Sequence, residues 1–439
     1  MLSRRRFLSL TSITAGASLA PRTALAQRGA PATQIPDLPS IAALPSLRSL
    51  AKPITAEERL ARIEKARALM AAQRFGAILL TGGTSLRYFT NISWGLSERF
   101  FGMILPAKGE PFFVCPAFEL DRAQEQVKLG PYAGRADVRI WQEDESPYAL
   151  VASGLKALGL LTGSLGIEET VRYVFSDGVS KAAPALRLTS ATPVTAGCRM
   201  IKDAHETDLI RLAGRVTLNA YGAAYRGLKA SMSQAEFGAL VAAAHARQGF
   251  TGGGGVQVGE FSALPHGSIT PQTIRDGSIL LMDGGCSAEG YSSDITRTFM
   301  CGKPTDRMRQ VFDLVHKMQN AGLAAAKPGV PLETIDAAAR KVAADAGFGP
   351  GFKYFTHRLG HGLGMDGHEW PYLVPHNMFG WNQNLTAQAG MVVTNEPGIY
   401  IPREFGVRLE DDMVITQGGA ELLTPQSPSI DDPFPAQPI

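Results

Sequence analysis

The sequence predicts two domains, an α/β domain followed by an α+β domain. The chain has 439 residues, which is longer than a typical single domain. Short apolar runs alternate with helical patterns over residues 55–196, and this alternation is typical of an α/β domain. Residues 197–424 instead carry two long hairpins with helices between them, which indicates an α+β domain. A long amphipathic helix that opens at Arg199 marks the expected boundary.

The first 26 residues are expected to be a removable export signal. Residues 3–8 (SRRRFL) match a twin-arginine signature, and a modest apolar stretch leads to the small-residue cleavage site at 24–26. The alternative is a frayed amphipathic helix. The apolar stretch is too short and too interrupted to remain as a membrane anchor in the mature chain. The expected destination is the periplasm, by the twin-arginine route, which carries folded proteins.

Composition is that of an ordinary globular protein and excludes some partners. The formal net charge is +3, and the predicted signal contains four arginines and no acid, so the mature chain carries 3 − 4 = −1. This balance gives no indication of binding to nucleic acid or to an acidic membrane surface. The cysteines show no metal-binding spacing and are expected to be small buried apolar residues, at positions Cys115, Cys198, Cys286 and Cys301.

A Pro-rich leader, residues 27–54, is expected to have no core of its own. Thr55 and Glu58 then form a capping box that starts a helix. The following patterns predict strands at 77–80, 103–105, 112–115 and 138–141, a helix at 148–158, and a strand at 165–167. This segment has no Gly-rich phosphate loop and no concentrated cluster of acids, histidines or cysteines, so its expected role is structural or substrate-shaping.

In the second domain, Ser233 and Glu236 form another capping box, for a helix that ends at Gly249. The four glycines at 252–255 have two interpretations, a flexible loop or a close approach of backbone to a ligand. Two more helices are expected at 306–326 and 332–346. A Pro-rich tail, residues 425–439, is expected to lie along the surface.

The first hairpin, residues 279–299, places two acids eleven positions apart around a turn-prone centre at 287–290. A turn centred between Ala288 and Glu289 would bring Asp283 and Asp294 to nearly opposite positions. Two carboxylates that close repel each other unless a proton or a cation lies between them. We expect a cation.

The second hairpin, residues 391–413, repeats this design with a turn at 402–406 and an acid on each arm, Glu396 and Glu410. The alternative, two unrelated hairpins with solvated acids, is weakened because Glu396 follows an apolar run so closely. Both acids are therefore expected to face inward. The domain would then consist of two halves of related design, each with a carboxylate pair.

Between the hairpins, residues 357–371 (HRLGHGLGMDGHEWP) contain His361 between two glycines. A lone histidine is more often structural than a metal ligand. Here, however, His361 lies in the sequence between two carboxylate pairs, and this arrangement favours a metal ligand. Four carboxylates and one imidazole match two divalent cations, since −4 balances +4. Oxygen-rich ligation with one nitrogen favours Mn, Fe, Co or Zn over a thiolate site, and Mn is the expected metal.

These residues, in this order, carry a family resemblance. The motifs DGGxxxxGYxSDxTRTF, GHGLGxxxHE, NEPGIY and GVRLED resemble the metallopeptidase superfamily of methionine aminopeptidase, aminopeptidase P, prolidase and metal-free creatinase. The preceding domain is similar to the creatinase-type N-terminal domain, which favours the aminopeptidase P and prolidase branch. The resemblance implies a pita-bread catalytic domain and a homodimer. It also implies metal-ligand roles: Asp294 and Glu410 bridge two ions, Asp283 chelates one, and His361 and Glu396 serve the other.

The expected activity is hydrolysis of short peptides by an Xaa-Pro aminopeptidase or dipeptidase, with a metal-bridging hydroxide attacking the scissile carbonyl. Glu396 would move the proton to the leaving nitrogen. His368 and His266 align with the family's substrate-side histidines and would donate hydrogen bonds to the substrate carbonyl and the tetrahedral intermediate. Arg408 would orient Glu410; the alternative is a surface arginine paired with Asp411 or Asp412.

Substrate choice is less well determined. Residues 368–371 (HEWP) are similar to the prolidase-like form of the motif, and Trp370 is expected beside the pocket. Xaa-Pro specificity does not follow from this motif alone. The alternative function is a non-peptidase enzyme on the same scaffold, a lyase or an amidohydrolase of a small zwitterion. A metal-free creatinase-type hydrolase and a non-enzymatic binding protein are disfavoured because all five ligands are present.

Overall fold

The computed structural model describes residues 38–375 and 384–434. The predicted export signal and the last five residues of the tail lie outside these ranges. Within them, no helix is both long enough and apolar enough to cross a membrane.

The N-terminal region is an α/β layer with one mixed six-stranded sheet. The strand order is β4-β3-β2-β1-β5-β6, and β1 pairs antiparallel with β2 and parallel with β5. Every strand and helix predicted here is present within two residues. The elements are α1 (Pro39–Ala42), α2 (Ala56–Gln73), β1 (Ala77–Thr81), α3 (Thr84–Thr90), β2 (Gly102–Pro106), β3 (Phe112–Pro116), α4 (Leu120–Val127), β4 (Asp137–Trp141), α5 (Pro147–Ala157), β5 (Gly163–Ile167), α6 (Tyr173–Ala182), β6 (Leu186–Ser190) and α7 (Thr192–Arg199), with 3₁₀ turns at Arg48–Leu50 and Ala117–Glu119.

The C-terminal region contains two halves, each with two helices packed on a sheet. In the first half the sheet order is β10-β8-β7, and in the second it is β12-β11-β13-β16-β17, beside the separate pair β14-β15. The elements are α8 (Ala204–Tyr225), α9 (Gln234–Arg247), β7 (Gly252–Val258), β8 (Ser278–Ala288), β9 (Tyr291–Ser292), β10 (Ile295–Cys301), α10 (Asp306–Ala325), α11 (Leu332–Asp345), β11 (Gly360–Gly362), β12 (Glu369–Leu373), β13 (Val392–Asn395), β14 (Gly398–Ile401), β15 (Phe405–Arg408), β16 (Asp411–Thr416) and β17 (Gly419–Leu422), with a 3₁₀ turn at Gly259–Ala263.

Each half of the C-terminal region has its own apolar core. Tyr221 and Phe237, from the two helices of the first half, pack with Phe299 of the central hairpin. Val315 and Ile335, from the two helices of the second half, lie in the corresponding core of that half. The two hairpins that carry the predicted ligands therefore project from firmly packed sheets.

Both predicted capping boxes are confirmed. Thr55 caps α2 with Glu58, and Ser233 caps α9 with Glu236. The long helix α8 begins later than expected, because Asp203 caps it and Arg199 is the last residue of α7.

The glycine run is not a flexible loop; it is strand β7, paired with β8. A Cβ added at Gly252 would lie 2.6 Å from Cβ of Cys286, and one at Gly284 would lie 2.5 Å from the carbonyl oxygen of Gly253. The glycines permit two strands to approach more closely than side chains would allow.

Residues 38–54 of the leader and 425–434 of the tail, the parts that the structure describes, are more integrated than expected; residues 27–37 of the leader lie outside the described ranges. Leu44, Leu47 and Ile54 of the leader are buried against the helices of the first C-terminal half. In the tail, Ile430 and Phe434 are 2% and 4% exposed, so residues 425–434 are anchored in the core rather than lying along the surface. Three cysteines are buried and Cys301 is half-buried, and all four are free.

Candidate metal centre and active site

The first hairpin has the predicted strands but a register two residues from the expected one. Its turn is formed by Glu289 and Gly290, with φ of +51° and +94°, and Asp283 consequently pairs with Thr296 rather than lying opposite Asp294. A shift of two residues keeps a side chain on the same face, because strand side chains alternate with a period of two. Asp294 lies in the break between β9 and β10, and its backbone N–H donates to Oδ2 of Asp412 at 3.3 Å.

The second hairpin is divided into two paired segments with a gap at the acids. Asn395 pairs with Asp411, and Gly398 pairs with Arg408. Glu396 and Glu410 fall between these pairs, and their N–H groups donate instead to the carbonyls of Leu359 at 2.9 Å and Thr296 at 3.1 Å. The gap brings the second hairpin into contact with the first one, and both acids line the same cavity.

All five predicted ligands converge. One ligand atom each from Asp283, Asp294 and Glu410 lie within 4.8 Å of one another, and the same holds for His361, Glu396 and Glu410. Glu410 belongs to both groups, which is the position required of a bridging carboxylate. Asp294 is also near the second group, since its Oδ2 lies 3.9 Å from Nε2 of His361.

The tautomer of His361 tests whether these residues fit metal ions. Its Nδ1 lies 3.1 Å from the carbonyl oxygen of Gly362, which can only accept, so Nδ1 carries the proton. Nε2 then presents a lone pair toward Oε1 of Glu396, 3.2 Å away. A lone pair surrounded by carboxylate oxygens has no donor among them, and a cation satisfies all of these acceptors at once.

The electrostatics of the acids agree with that fit. Burial raises the pKa of Asp294 well above its usual value, and the neighbouring Asp283 and Glu396 raise it further. Burial and Asp294 have the same effect on the pKa of Glu410. Burial and mutual repulsion therefore disfavour the charged forms of Asp294 and Glu410, and divalent cations at this site would compensate those charges.

Arg408 contacts a different acid from the one expected. Its Nη2 donates to Oδ2 of Asp283 at 2.6 Å, and its Nε donates to Oγ1 of Thr296 at 3.0 Å. Oγ1 of Thr296 in turn donates to Oε2 of Glu410 at 2.6 Å. Arg408 therefore orients Asp283 directly and reaches Glu410 only through Thr296. The alternative, a surface arginine paired with Asp411 or Asp412, is also wrong, because Arg408 is buried and forms its ion pair with Asp283, while Asp411 pairs with Arg297.

A cavity of about 620 Å³ opens onto the ligands. His266 and His368 both line it, as expected for substrate-side histidines. The ring of His368 stacks on that of His361, with centroids 3.6 Å apart and planes 19° apart. Trp370, expected beside the pocket, is 4% exposed and directs its Nε1 toward Glu169 of the N-terminal region instead.

Sequence reasoning missed His357, which also lines the cavity. Its Nδ1 donates to the carbonyl of Arg358 at 2.7 Å, and its Nε2 accepts from the hydroxyl of Tyr400 at 2.7 Å. The same Tyr400 oxygen accepts from Nη1 of Arg408 at 3.0 Å. Burial lowers the pKa of His357 to about 4, so this imidazole is neutral. The sequence could have indicated His357, because it lies four residues before His361 in the segment that leads into β11.

Comparison with known proteins places this site in a family. Residues 208–417 match metallopeptidase family M24, and residues 62–201 match the creatinase/prolidase N-terminal domain. A probable dipeptidase, PepE of Mycobacterium tuberculosis, is 32% identical over 82% of this chain and 92% of its own. The chain belongs to metallopeptidase family M24. A further M24 relative, the Xaa-Pro dipeptidase of Lactobacillus delbrueckii subsp. lactis, is 31% identical over 78% of this chain and 90% of its own.

Solved structures agree. Dipeptidase PepE from Mycobacterium ulcerans superposes with a TM-score of 0.79 at 31% identity, covering 87% of this chain and 99% of its own. The prolidase from Thermococcus sibiricus superposes with a TM-score of 0.74 at 28% identity, covering 85% of this chain and 98% of its own. The predicted creatinase-like domain, pita-bread catalytic domain and metallopeptidase activity are confirmed, and M24 metallopeptidases use divalent metal ions. The alternative of a lyase or amidohydrolase is not favoured by these relatives.

Proposed function

We propose that this M24 enzyme is a dipeptidase that cleaves Xaa-Pro dipeptides and uses two divalent ions, Mn²⁺ first among them. The observation that carries the proposal is the arrangement of the cavity. The five ligands form one part of its lining, and a cationic side chain, Arg358, forms another. Relatives named dipeptidase or Xaa-Pro dipeptidase support the same substrate class.

Arg358 is suited to the free carboxylate that distinguishes a dipeptide from a longer peptide. Its guanidinium stacks over the ring of Tyr372, 4.3 Å from the centroid, and its Nη2 lies 3.2 Å from Nδ1 of His368. Stacking on Tyr372 orients the plane of the guanidinium, and a planar set of N–H donors matches the geometry of a carboxylate. A dipeptide whose scissile carbonyl lies against the ligands would place its carboxylate only a few atoms away.

The apolar part of the same cavity suits a pyrrolidine ring. Phe352, Val374 and Pro375 line it, and Phe352 is 51% exposed. Such surfaces bind an uncharged ring by removing apolar area from water.

The chain's own residues account for proton movement and orientation. When bound at the five ligands, the ions would polarise the scissile carbonyl and lower the pKa of water. Oε1 of Glu396 accepts a hydrogen bond from Thr394 Oγ1 at 3.1 Å, which orients the carboxylate to receive a proton and return it to the leaving nitrogen. His266 and His368 would donate hydrogen bonds to the substrate carbonyl and to the oxygen on which charge develops.

The test compares substrates that differ in one group. With Mn²⁺ present, the enzyme is incubated with Gly-Pro, its C-terminal amide, Gly-Pro-Ala and Gly-Ala. We expect Gly-Pro to be cleaved best, and Arg358→Gln to raise KM for Gly-Pro about tenfold or more while changing KM for the amide little, because a lost charged hydrogen bond weakens binding by roughly that factor. Equal cleavage of amide and acid would refute the carboxylate role, and cleavage of none of the four would refute the dipeptidase proposal.

The proposal also includes the location and the oligomeric state of the enzyme. The twin-arginine signature supports action in the periplasm, and the family resemblance supports a homodimer. Measuring the mass of the purified enzyme by light scattering tests the second property, and a monomer at micromolar concentration would contradict it.

A further inference from the structure

The segment between β11 and β12 places His368 at the cavity. Other residues of this segment contact the end of α7 rather than the cavity. The His368 side chain is exposed, and its ring lies flat on His361. Its hydrogen-bonding neighbour is Arg358, itself a side chain of the cavity lining. The position of His368 therefore depends on the backbone of residues 363–369, and the contacts of that backbone matter.

Glu369, the next residue, is 7% exposed and directed to the inside of this segment. Its Oε2 accepts from the backbone N–H of Asp366 at 3.3 Å, which closes the segment into a compact turn. A Cβ added at Gly364 would lie 2.4 Å from Oε1 of Glu369, so the carboxylate occupies the space that a side chain would need. A buried carboxylate thus defines the shape of the turn that carries His368.

The partners of this carboxylate come from the end of the N-terminal region and from the short link between α7 and α8. Arg199, the last residue of α7, donates through Nη2 to Oε2 of Glu369 and to Oδ2 of Asp366. Lys202, which is 1% exposed at its side chain, donates to Oε1 of Glu369 at 2.8 Å. Thr84, at the start of α3, donates to Oδ1 of Asp366 at 2.5 Å. We call Arg199, Lys202, Asp366 and Glu369 the docking cluster.

The docking cluster is electrically balanced, with two cations and two anions. Burial alone would raise the pKa of Glu369, but Arg199 and Lys202 outweigh it and lower this pKa, so the carboxylate is ionised. Apolar residues of similar volume would join the two regions at least as strongly as a buried ionic cluster does. Charged hydrogen bonds add direction, and the direction here determines the shape of the turn next to His368.

We propose that Arg199 and Lys202 act through Glu369 as positioning residues for His368, so that the N-terminal region, through Arg199, is part of the catalytic apparatus. The inference rests on the proposed role of His368 toward substrate. It assigns a function to a domain whose own residues lie outside the ligand set. Small displacements of a group that contacts substrate reduce the rate strongly, so the docking cluster controls kcat more than metal affinity.

A double-mutant cycle tests the proposal. Glu369→Gln keeps the volume of the side chain but removes its charge, and we expect kcat for Gly-Pro to fall about tenfold or more with metal content unchanged. In a His368→Ala background the same change should alter kcat less than about twofold, because the group being positioned is already absent. Lys202→Arg, which keeps the charge, should retain more than half of kcat. An equal fold loss in both backgrounds, or an unchanged kcat in Glu369→Gln, would overturn the proposal.

A matched control separates positioning from loss of stability. Glu206 is a comparably buried carboxylate that pairs with Arg62 of α2 at 3.3 Å rather than with the cations of the docking cluster. Glu206→Gln should lower the melting temperature as much as Glu369→Gln does while leaving kcat unchanged. A fall in kcat that simply follows melting temperature in both variants would contradict the inference.

A spectroscopic readout needs no turnover and therefore distinguishes failure of this inference from failure of the dipeptidase proposal. In the Zn²⁺-loaded protein with labelled histidine, the ring signals of His368 are assigned from their loss in His368→Ala. Glu369→Gln should shift those signals, and Glu206→Gln should not. Unchanged His368 signals in Glu369→Gln would overturn the proposal whether or not any dipeptide is cleaved.

Discussion

Nη2 of Arg408 lies 2.6 Å from Oδ2 of Asp283, so the return strand of the second hairpin directly orients an acid of the first. The same guanidinium also donates to the carbonyl of Pro265 at 2.9 Å, next to His266. One buried arginine thus connects a ligand with the loop of a substrate-side histidine. The carboxylate pairs of the two hairpins form a single centre because such contacts cross between them.

Replacing Arg408 by Lys should weaken metal binding. The single ammonium nitrogen of lysine cannot occupy at once the three positions from which Nε, Nη1 and Nη2 of Arg408 donate to Thr296, Tyr400 and Asp283. Loss of such an outer contact reduces metal affinity about 10- to 100-fold. Equilibrium dialysis against graded Mn²⁺ measures this, with Arg62→Lys, another buried arginine, as the control. Wild-type affinity in the Arg408 variant would show that Asp283 does not depend on this contact.

The pair of His205 and Glu58 should make stability depend on pH. Nδ1 of His205 lies 2.7 Å from Oε1 of Glu58. Burial lowers the pKa of His205, but the hydrogen bond and charge of Glu58 outweigh it, so the pKa is raised; for Glu58, burial is likewise outweighed and the pKa is lowered. The histidine's contribution is complete below its unfolded pKa of about 6.5 and is lost as pH rises through the raised value. The contribution of Glu58 is lost as pH falls below about 4.5.

His205→Gln should therefore lower the melting temperature at pH 5.5 and have almost no effect at pH 9. The pair is partly exposed, so its contribution is below about 1 kcal/mol. His316→Gln is the control, because the neighbour of His316 is the amide of Asn320 rather than an acid. A destabilisation of His205→Gln that is the same at both pH values would contradict the assigned charge pairing.

Export provides a test of the N-terminal prediction. Changing both Arg4 and Arg5 to Lys should keep the enzyme in the cytoplasm, because the twin-arginine route recognises the arginine pair. Fractionation of cells that produce each version, followed by immunoblotting, measures the distribution. Periplasmic accumulation of the Lys variant would rule out this route.

Much of the fold, and the five residues that converge at the candidate site, could be predicted because both depend on local pattern. Apolar periodicity located the strands, and the capping boxes located the starts of α2 and α9. The register of the first hairpin was missed because it depends on a turn in which Glu289 adopts a positive φ, which a side chain rarely does.

Contacts between distant segments could not be predicted. The pairing of Arg408 with Asp283 joins residues 125 positions apart, and that of Arg199 with Glu369 joins residues 170 apart. Nothing in the local sequence of either partner specifies the other. The sequence pattern also located the four acids. It placed Trp370 beside the pocket, whereas Trp370 is buried because the N-terminal region packs against it.

The central claim is that Asp283, Asp294, His361, Glu396 and Glu410 bind two divalent ions that the enzyme needs. Elemental analysis of the purified protein, together with the rate of Gly-Pro cleavage, tests it most directly in the wild type and in Asp294→Ala. We expect up to two transition ions per wild-type chain, and loss of both metal and turnover in the variant, because Asp294 lies between the two ligand groups. A metal-free preparation that retains full activity, or an Asp294→Ala enzyme with normal metal content and rate, would contradict the account.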